Sequence, residues 1–161
     1  MNIFVTDENP IKAAQNLDDK RVVKMVLESA QMLCTALHEN GASHLAQYKP
    51  THKNHPANVW ARETRMNYGW LLMHFMALCK EYTHRTGKTH KSESLFTNLW
   101  LGAQHIPDGE LTPFANCAAH SGKNISYKHV SDIHSAYRQY LVDRWATDTL
   151  IPKWTKRSRP F

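Results

Sequence analysis

The sequence predicts a mainly α-helical fold, a compact single-domain bundle, and three observations carry that expectation. Apolar residues recur at helical spacing over several long segments. Helix-opening signals stand ahead of those segments: Asn9-Pro10, Asp18-Asp19 and Pro56. Helix-ending pairs, Asn40-Gly41 and Thr86-Gly87, stand behind two of them. No internal repeat or low-complexity linker interrupts residues 1–161, so one helical domain is expected, with 153–161 as a basic C-terminal tail.

The elements follow in order. Met1-Asn2-Ile3-Phe4-Val5 is short and apolar, an edge strand or an extended N-terminal arm tucked on the core. Asn9 caps a short helix that reaches Leu17. Asp18-Asp19 opens a long helix with Val22, Met25, Val26, Ala30, Leu33 and Leu37 as its core stripe. Residues 42–55 are a polar connection. Pro56 then starts a helix running to Thr86-Gly87. Some 30 residues is long for a globular helix, so a kink or break is expected near Gly69. A short helix runs from Ser92 to Gly102. Residues 103–130 hold Pro107, Gly109, Pro113 and Gly122 without a clear period and read as a long loop. Ser131 or Asp132 opens a last helix through Trp145.

Composition narrows the function classes. Twenty Lys+Arg against 14 Asp+Glu leave +6 with histidine neutral, and 11 histidines can add to it. Such a balance suits an anionic partner. No apolar run approaches the roughly 18 residues of a spanning helix, and MNIFVTDENP lacks a secretory signal, so no membrane partner is expected. Three cysteines, Cys34, Cys79 and Cys117, form no CxxC pair, which suits a reducing cytoplasm. There is no GxGxxG and no phosphate-binding GKS or GKT.

Four places can carry chemistry or meet a partner. Arg21, Lys24, Glu28, Gln31 and Thr35 share one helix face. That face is either a solvated stripe or a cationic cleft floor with Glu28 suited to acid–base work. Thr51-His52-Lys53-Asn54-His55-Pro56 is dense in donors at a helix start. It reads as a capping turn, as a loop for phosphates and base edges, or as a metal site. Zinc needs three or four ligands and HxxH supplies two, so no metal is expected. Trp60, followed by Arg62 and Arg65, is a candidate to stack on a base. Lys153, Lys156, Arg157 and Arg159 concentrate positive charge in the tail, a fit to phosphate neutralisation.

Short motifs spread along the chain resemble the pyrimidine-dimer DNA glycosylases of the phage endonuclease V type. Leu17-Asp18-Asp19-Lys20-Arg21, with Glu28 seven residues after Arg21, resembles their first long helix. Asn54-His55-Pro56, then Trp60 and Arg62, resembles the start of the next. Glu81-Tyr82 through Arg85-Thr86-Gly87 is similar to that helix's end. His134-Ser135-Ala136-Tyr137-Arg138 and Lys153-Trp154 are similar to the late helix and close. Leu27 stands where the phage enzyme has Arg, and Arg21 where the family usually has His.

The resemblance implies a DNA-repair enzyme: a helical, metal-independent glycosylase, lyase and endonuclease that needs no cofactor, works as a monomer and kinks duplex DNA. Its α-amino group would attack C1′ of a damaged nucleotide and form an imine. An α-amine titrates near about 7.7–8.0, against about 10.4 for Lys, so far more of it is nucleophilic at neutral pH. On this chain Met1 would be the nucleophile and Glu28 its acidic partner. Asn2 is too large for efficient removal of the initiator Met. Arg21, Lys24, His52, Asn54, His55 and Arg62 would hold phosphates or bases, with Lys20, Lys53, Arg65, Lys153, Lys156 and Arg157 adding charge. Two other readings stand beside it: a non-enzymatic nucleic-acid-binding protein, and a nuclease using metal held by His52 and His55.

Overall fold

The computed structural model describes every residue, Met1–Phe161. It is mainly α-helical: α1 (Pro10–Gln15), α2 (Asp19–Glu39), α3 (Pro56–Glu63), α4 (Arg65–Thr86), α5 (Phe96–Gly102) and α6 (Ile133–Thr147). No helix is long and apolar enough to cross a membrane. The long helices α2 and α4 form the central pair, with α1 laid on α4 and α3 bridging α2 and α4. The buried apolar side chains merge into one contiguous cluster.

Local chemistry sets the boundaries. Asn9 Oδ1 accepts the Ile11 N–H ahead of Pro10, and Asp18 Oδ2 accepts the Arg21 N–H. At the end of α2, Gly41 takes φ +73° and the Ala42 N–H reaches back to the Leu37 carbonyl, a Schellman closure. Gly87, at φ +72°, ends α4 in the same left-handed region.

The break between Pro56 and Gly87 falls at Thr64, not at Gly69. Thr64 is extended (φ −137°, ψ 156°), and its hydroxyl both accepts the Asn67 N–H and donates to the Glu110 carbonyl. Gly69 lies inside α4, where a Cβ would meet nothing within 4 Å. A threonine can cap a new helix, whereas a single glycine only weakens one. The 103–130 segment is less irregular than its composition suggests. Residues 103–105 form a 3-10 turn, and β1 (Ala119–His120) pairs antiparallel with β2 (Ile125–Ser126), Ala119 opposite Ser126. The helix expected from Ser92 begins as a 3-10 turn over 91–95 and becomes α-helical only at Phe96.

The N-terminal segment is an arm rather than a strand. It threads between α4 and α6, and its carbonyls are taken by side chains. His134 Nδ1 bonds Val5 O at 2.9 Å and Arg138 Nε donates to Thr6 O at 2.8 Å. From α4, Trp70 Nε1 donates to Glu8 O and His74 Nδ1 bonds Pro10 O, both at 2.9 Å. Side-chain donors stand in for the neighbouring strand that a buried extended backbone otherwise requires.

A buried ionic cluster locks α1, α2 and α4. Arg85, 2 % exposed, donates to Glu81, Asp19 and the carbonyls of Leu17 and Gln15. Burial alone would raise the Glu81 pKa, but hydrogen bonds from Arg157 and Arg85 hold it below the usual carboxylate range.

His74 gives the fold a pH signature. Full burial, against the weaker pull of the Pro10 carbonyl, lowers its pKa from 6.5 to about 4. Above pH 6.5 it is neutral in both folded and unfolded chains. As pH falls from 6.5 to about 4 the unfolded chain takes up the proton first, so stability is lost across that window. The loss is on the order of 3 kcal/mol. Urea midpoints measured from pH 7 to pH 4 are expected to fall for the native chain and to fall less for His74→Phe. Equal slopes would remove His74 as the cause.

Candidate active site at the N-terminal amine

The arm ends by presenting its own terminus. The Met1 side chain is 2 % exposed, yet the residue as a whole is only half-buried, so what solvent reaches is its backbone end. Asn2 fixes that end. Its Oδ1 accepts the Ile3 N–H at 2.8 Å and the Tyr137 hydroxyl at 2.8 Å, and its Nδ2 donates to Cys117 O. Tyr137 in turn accepts the Cys117 N–H at 3.0 Å. Just beyond, buried Phe4 holds φ +58°, with the Thr6 N–H turned back onto its carbonyl. That left-handed backbone is rare for an aromatic residue and costs about 1–3 kcal/mol.

The result is that the Met1 amine lies 3.2 Å from Glu28 Oε1. Glu28 is 12 % exposed, and its other oxygen is 3.9 Å from Lys24 Nζ. The polar face of α2 is therefore not a uniformly solvated stripe. Further along it, the buried Thr35 hydroxyl donates to Gln31 O and accepts the Thr51 N–H, pinning the 48–51 segment against α2.

Pinning Thr51 sets the histidines. Asn58 Nδ2, buried in α3, donates to both Thr51 O and His52 O at 2.9 Å. His52 sits at φ +46° as a result, exposed, with Nδ1 2.7 Å from Thr51 Oγ1. His55 caps α3, its Nδ1 accepting the Ala57 N–H, so its proton resides on Nε2. Burial first, then the positive Met1 terminus, lowers its pKa below 6.5. His55 is thus a neutral donor beside the amine. The charges of His52, Glu28 and Lys128 bear on it more weakly.

The candidate residues part company here. Met1, Glu28 and Lys24 come together, and the charge of the Met1 terminus reaches His55; His52, Lys53 and Asn54 sit exposed on the turn that His55 ends, Lys53 3.9 Å from Glu39. Trp60 is not available to a base. It is 3 % exposed, packed on Phe114 and Trp70, with its indole N–H on Thr112 O. Arg21 is committed to Asp18 and Asp148 at 2.9 and 3.0 Å and is buried. Arg65 staples the carbonyls of Ala103, Gln104 and Ile106. Arg157 donates to Glu81 at 2.6 Å. Arg62 is half-buried, with Nη1 enclosed and without a partner.

The tail is not a free basic segment. Lys153 O accepts the Asp19 N–H, Trp154 donates to Asn16 O, and Phe161 stacks on Trp145. Lys20, Lys153 and Lys156 keep exposed ammonium groups, Lys20 and Lys153 at the N-terminal end of α2. Sequence reading passed over Asn58 and Lys128, and it gave Asn2 and Thr35 no part in holding the arm and the 48–51 segment in place. Only the partnership of Tyr137 with the terminus had a signal, in the His134–Arg138 motif.

No group of three or more His, Cys, Asp or Glu side chains is placed to hold a metal ion. The arrangement instead offers an amine with a carboxylate to take its proton and neutral and cationic donors around it. A family model described as pyrimidine dimer DNA glycosylase matches residues 1–105. No curated protein and no solved structure matches the chain. The matched span contains the arm, Glu28 and the His52–His55 turn, and stops short of α6.

Tyr137→Phe keeps the ring in the core and deletes the hydroxyl that joins Asn2 to Cys117. A loss of about 1–3 kcal/mol in urea denaturation is expected, because the Cys117 N–H is left without its partner. A loss within a few tenths of that of a Val142→Ala control would show that the hydroxyl does not hold the arm.

Proposed function

The chain belongs to the pyrimidine dimer DNA glycosylase family, and from that premise we propose that it excises damaged or modified pyrimidines through the Met1 α-amine, with lyase activity following. Membership supports DNA glycosylase activity and a DNA substrate. The observation that carries the mechanism is the 3.2 Å approach of the Met1 amine to Glu28 at a half-exposed position.

Glu28 takes a proton from the terminal ammonium, freeing its lone pair. The nitrogen attacks C1′; the N–C1′ bond forms as the glycosidic bond breaks, and the electron pair leaves with the base, which gains a proton. The bound nitrogen then gives up a second proton, and its lone pair opens C1′–O4′ as a proton is delivered to O4′, which gives the iminium. Loss of a C2′ proton then expels the 3′ phosphate. His55 Nε2–H and the ammonium groups of Lys24 and Lys128 are suited to phosphate and sugar oxygens around this point. Lys20, Lys53, Lys153 and Lys156 extend the positive surface for the duplex.

Borohydride reduction with duplex DNA carrying a pyrimidine dimer or an abasic site tests this reading. A covalent adduct mapping to Met1 is expected, and acetylation of the terminus should abolish it. Glu28→Gln should slow trapping by about 100-fold or more while keeping duplex affinity. An adduct that survives acetylation would overturn the amine mechanism.

A further inference from the structure

A helix that is apolar around most of its circumference is ordinarily buried around it. α4 buries Leu71, Leu72, Phe75 and Leu78, yet Met66 and Met73 on another side are 53 % and 54 % exposed. Met66, Gly69, Met73, Met76, Lys80 and His84 follow at steps of 3, 4, 3, 4 and 4, so they form one stripe. At Gly69 a Cβ would meet nothing within 4 Å, which leaves a notch in that stripe. At the rise of an α-helix the stripe is about 27 Å long.

α1 supplies a second wall. Ile11, 48 % exposed, lines a cavity of about 320 Å3 together with Met73 and Met76 of α4. A hollow of this kind receives a protruding apolar side chain rather than a flat surface, and methionines repack around whatever enters. Charge decides what surrounds that side chain. Glu81 is the one acidic residue in the lining, and it already receives Arg85 and Arg157. The side chains of Lys80 and His84 are exposed there and make no ion pair within the chain. A second copy of this chain would bring Lys80 no carboxylate from the stripe, which holds none. The complementary occupant is acidic.

We propose that the α1–α4 face docks an acidic amphipathic helix of a partner protein, with its apolar side chains on Ile11, Met73 and Met76 and its carboxylates on Lys80 and His84. None of these residues belongs to the amine site, so a partner held here leaves Met1 and Glu28 free. The interaction stands whether or not the amine is the nucleophile.

Anisotropy of a fluorescein-labelled helical peptide of about 18 residues, long enough to span the stripe, tests the proposal. The peptide carries Leu at i, i+3, i+4 and i+7 spacing and Glu elsewhere; a second peptide carries Lys in place of every Glu. The native chain is expected to bind the Glu peptide at least about tenfold more tightly than the Lys peptide. Met73→Glu and Lys80→Glu, both surface substitutions, should each weaken the Glu peptide by about tenfold or more. Duplex affinity and borohydride trapping should stay within about twofold in both variants. No binding of the Glu peptide, equal binding of the two peptides, or binding indifferent to both substitutions would overturn the proposal. So would binding of phosphatidylglycerol vesicles that Met73→Glu removes, which would make the face a membrane contact. Glu28→Gln should keep peptide binding while losing trapping, which separates failure of the docking face from failure of the amine chemistry.

Discussion

The capture of the N-terminal arm by side chains of α4 and α6 is the constraint on which the rest of this molecule depends. An extended, apolar segment with no strand beside it has unpaired carbonyls, and burying them unpaired is costly. His134 and Arg138 from one side, and Trp70 and His74 from the other, satisfy Val5, Thr6, Glu8 and Pro10 in turn. Because both helices donate, the arm has one register. That register puts the Met1 amine against Glu28.

The ionic clusters explain why so much of the basic composition is absent from the site. Asp18 accepts from both Arg21 and the Trp145 indole, tying α2 to α6. Glu81 receives Arg85 and Arg157, tying α4 to the tail. Removing one member of such a buried group strands a charge, at a cost of about 3–5 kcal/mol. These arginines are therefore framework. Lysines, with flexible stems and ammonium groups left in water, supply the field that a polyanion meets.

The fold was legible where the chain punctuates itself. Asn9-Pro10, Asp18, Gly41 and Gly87 act locally, and each ends or begins a helix where its backbone chemistry requires. Thr64 was not legible, because its cap is completed by Glu110, distant in sequence. In the site, Glu28 stood out by its spacing within a helix, and the His52–His55 turn by its density of donors. Trp60 and Arg21 misled for a common reason. Aromatic and guanidinium groups serve equally well inside a core and on a nucleic acid, and their partners, Phe114 and Asp148, lie far along the chain. The motifs that carry the family resemblance are thus mostly framework: Asp18, Arg21, Glu81, Arg85, His134, Tyr137 and Arg138 position the few groups able to do chemistry.

The contacts of the terminus itself give little reason for it to be where it is. A partly exposed ion pair such as Met1–Glu28 contributes about 0–1 kcal/mol. The left-handed backbone of Phe4 just behind it costs about 1–3 kcal/mol. Relaxing the turn would remove the strain and lose only the pair, so the local balance favours letting the terminus go. It is held because stacking of Phe4 on Tyr140 and the Asn2–Tyr137 bond belong to the core and do not yield separately. A terminus kept in place against its own local preference, 3.2 Å from a carboxylate, is the observation on which the proposed amine mechanism rests.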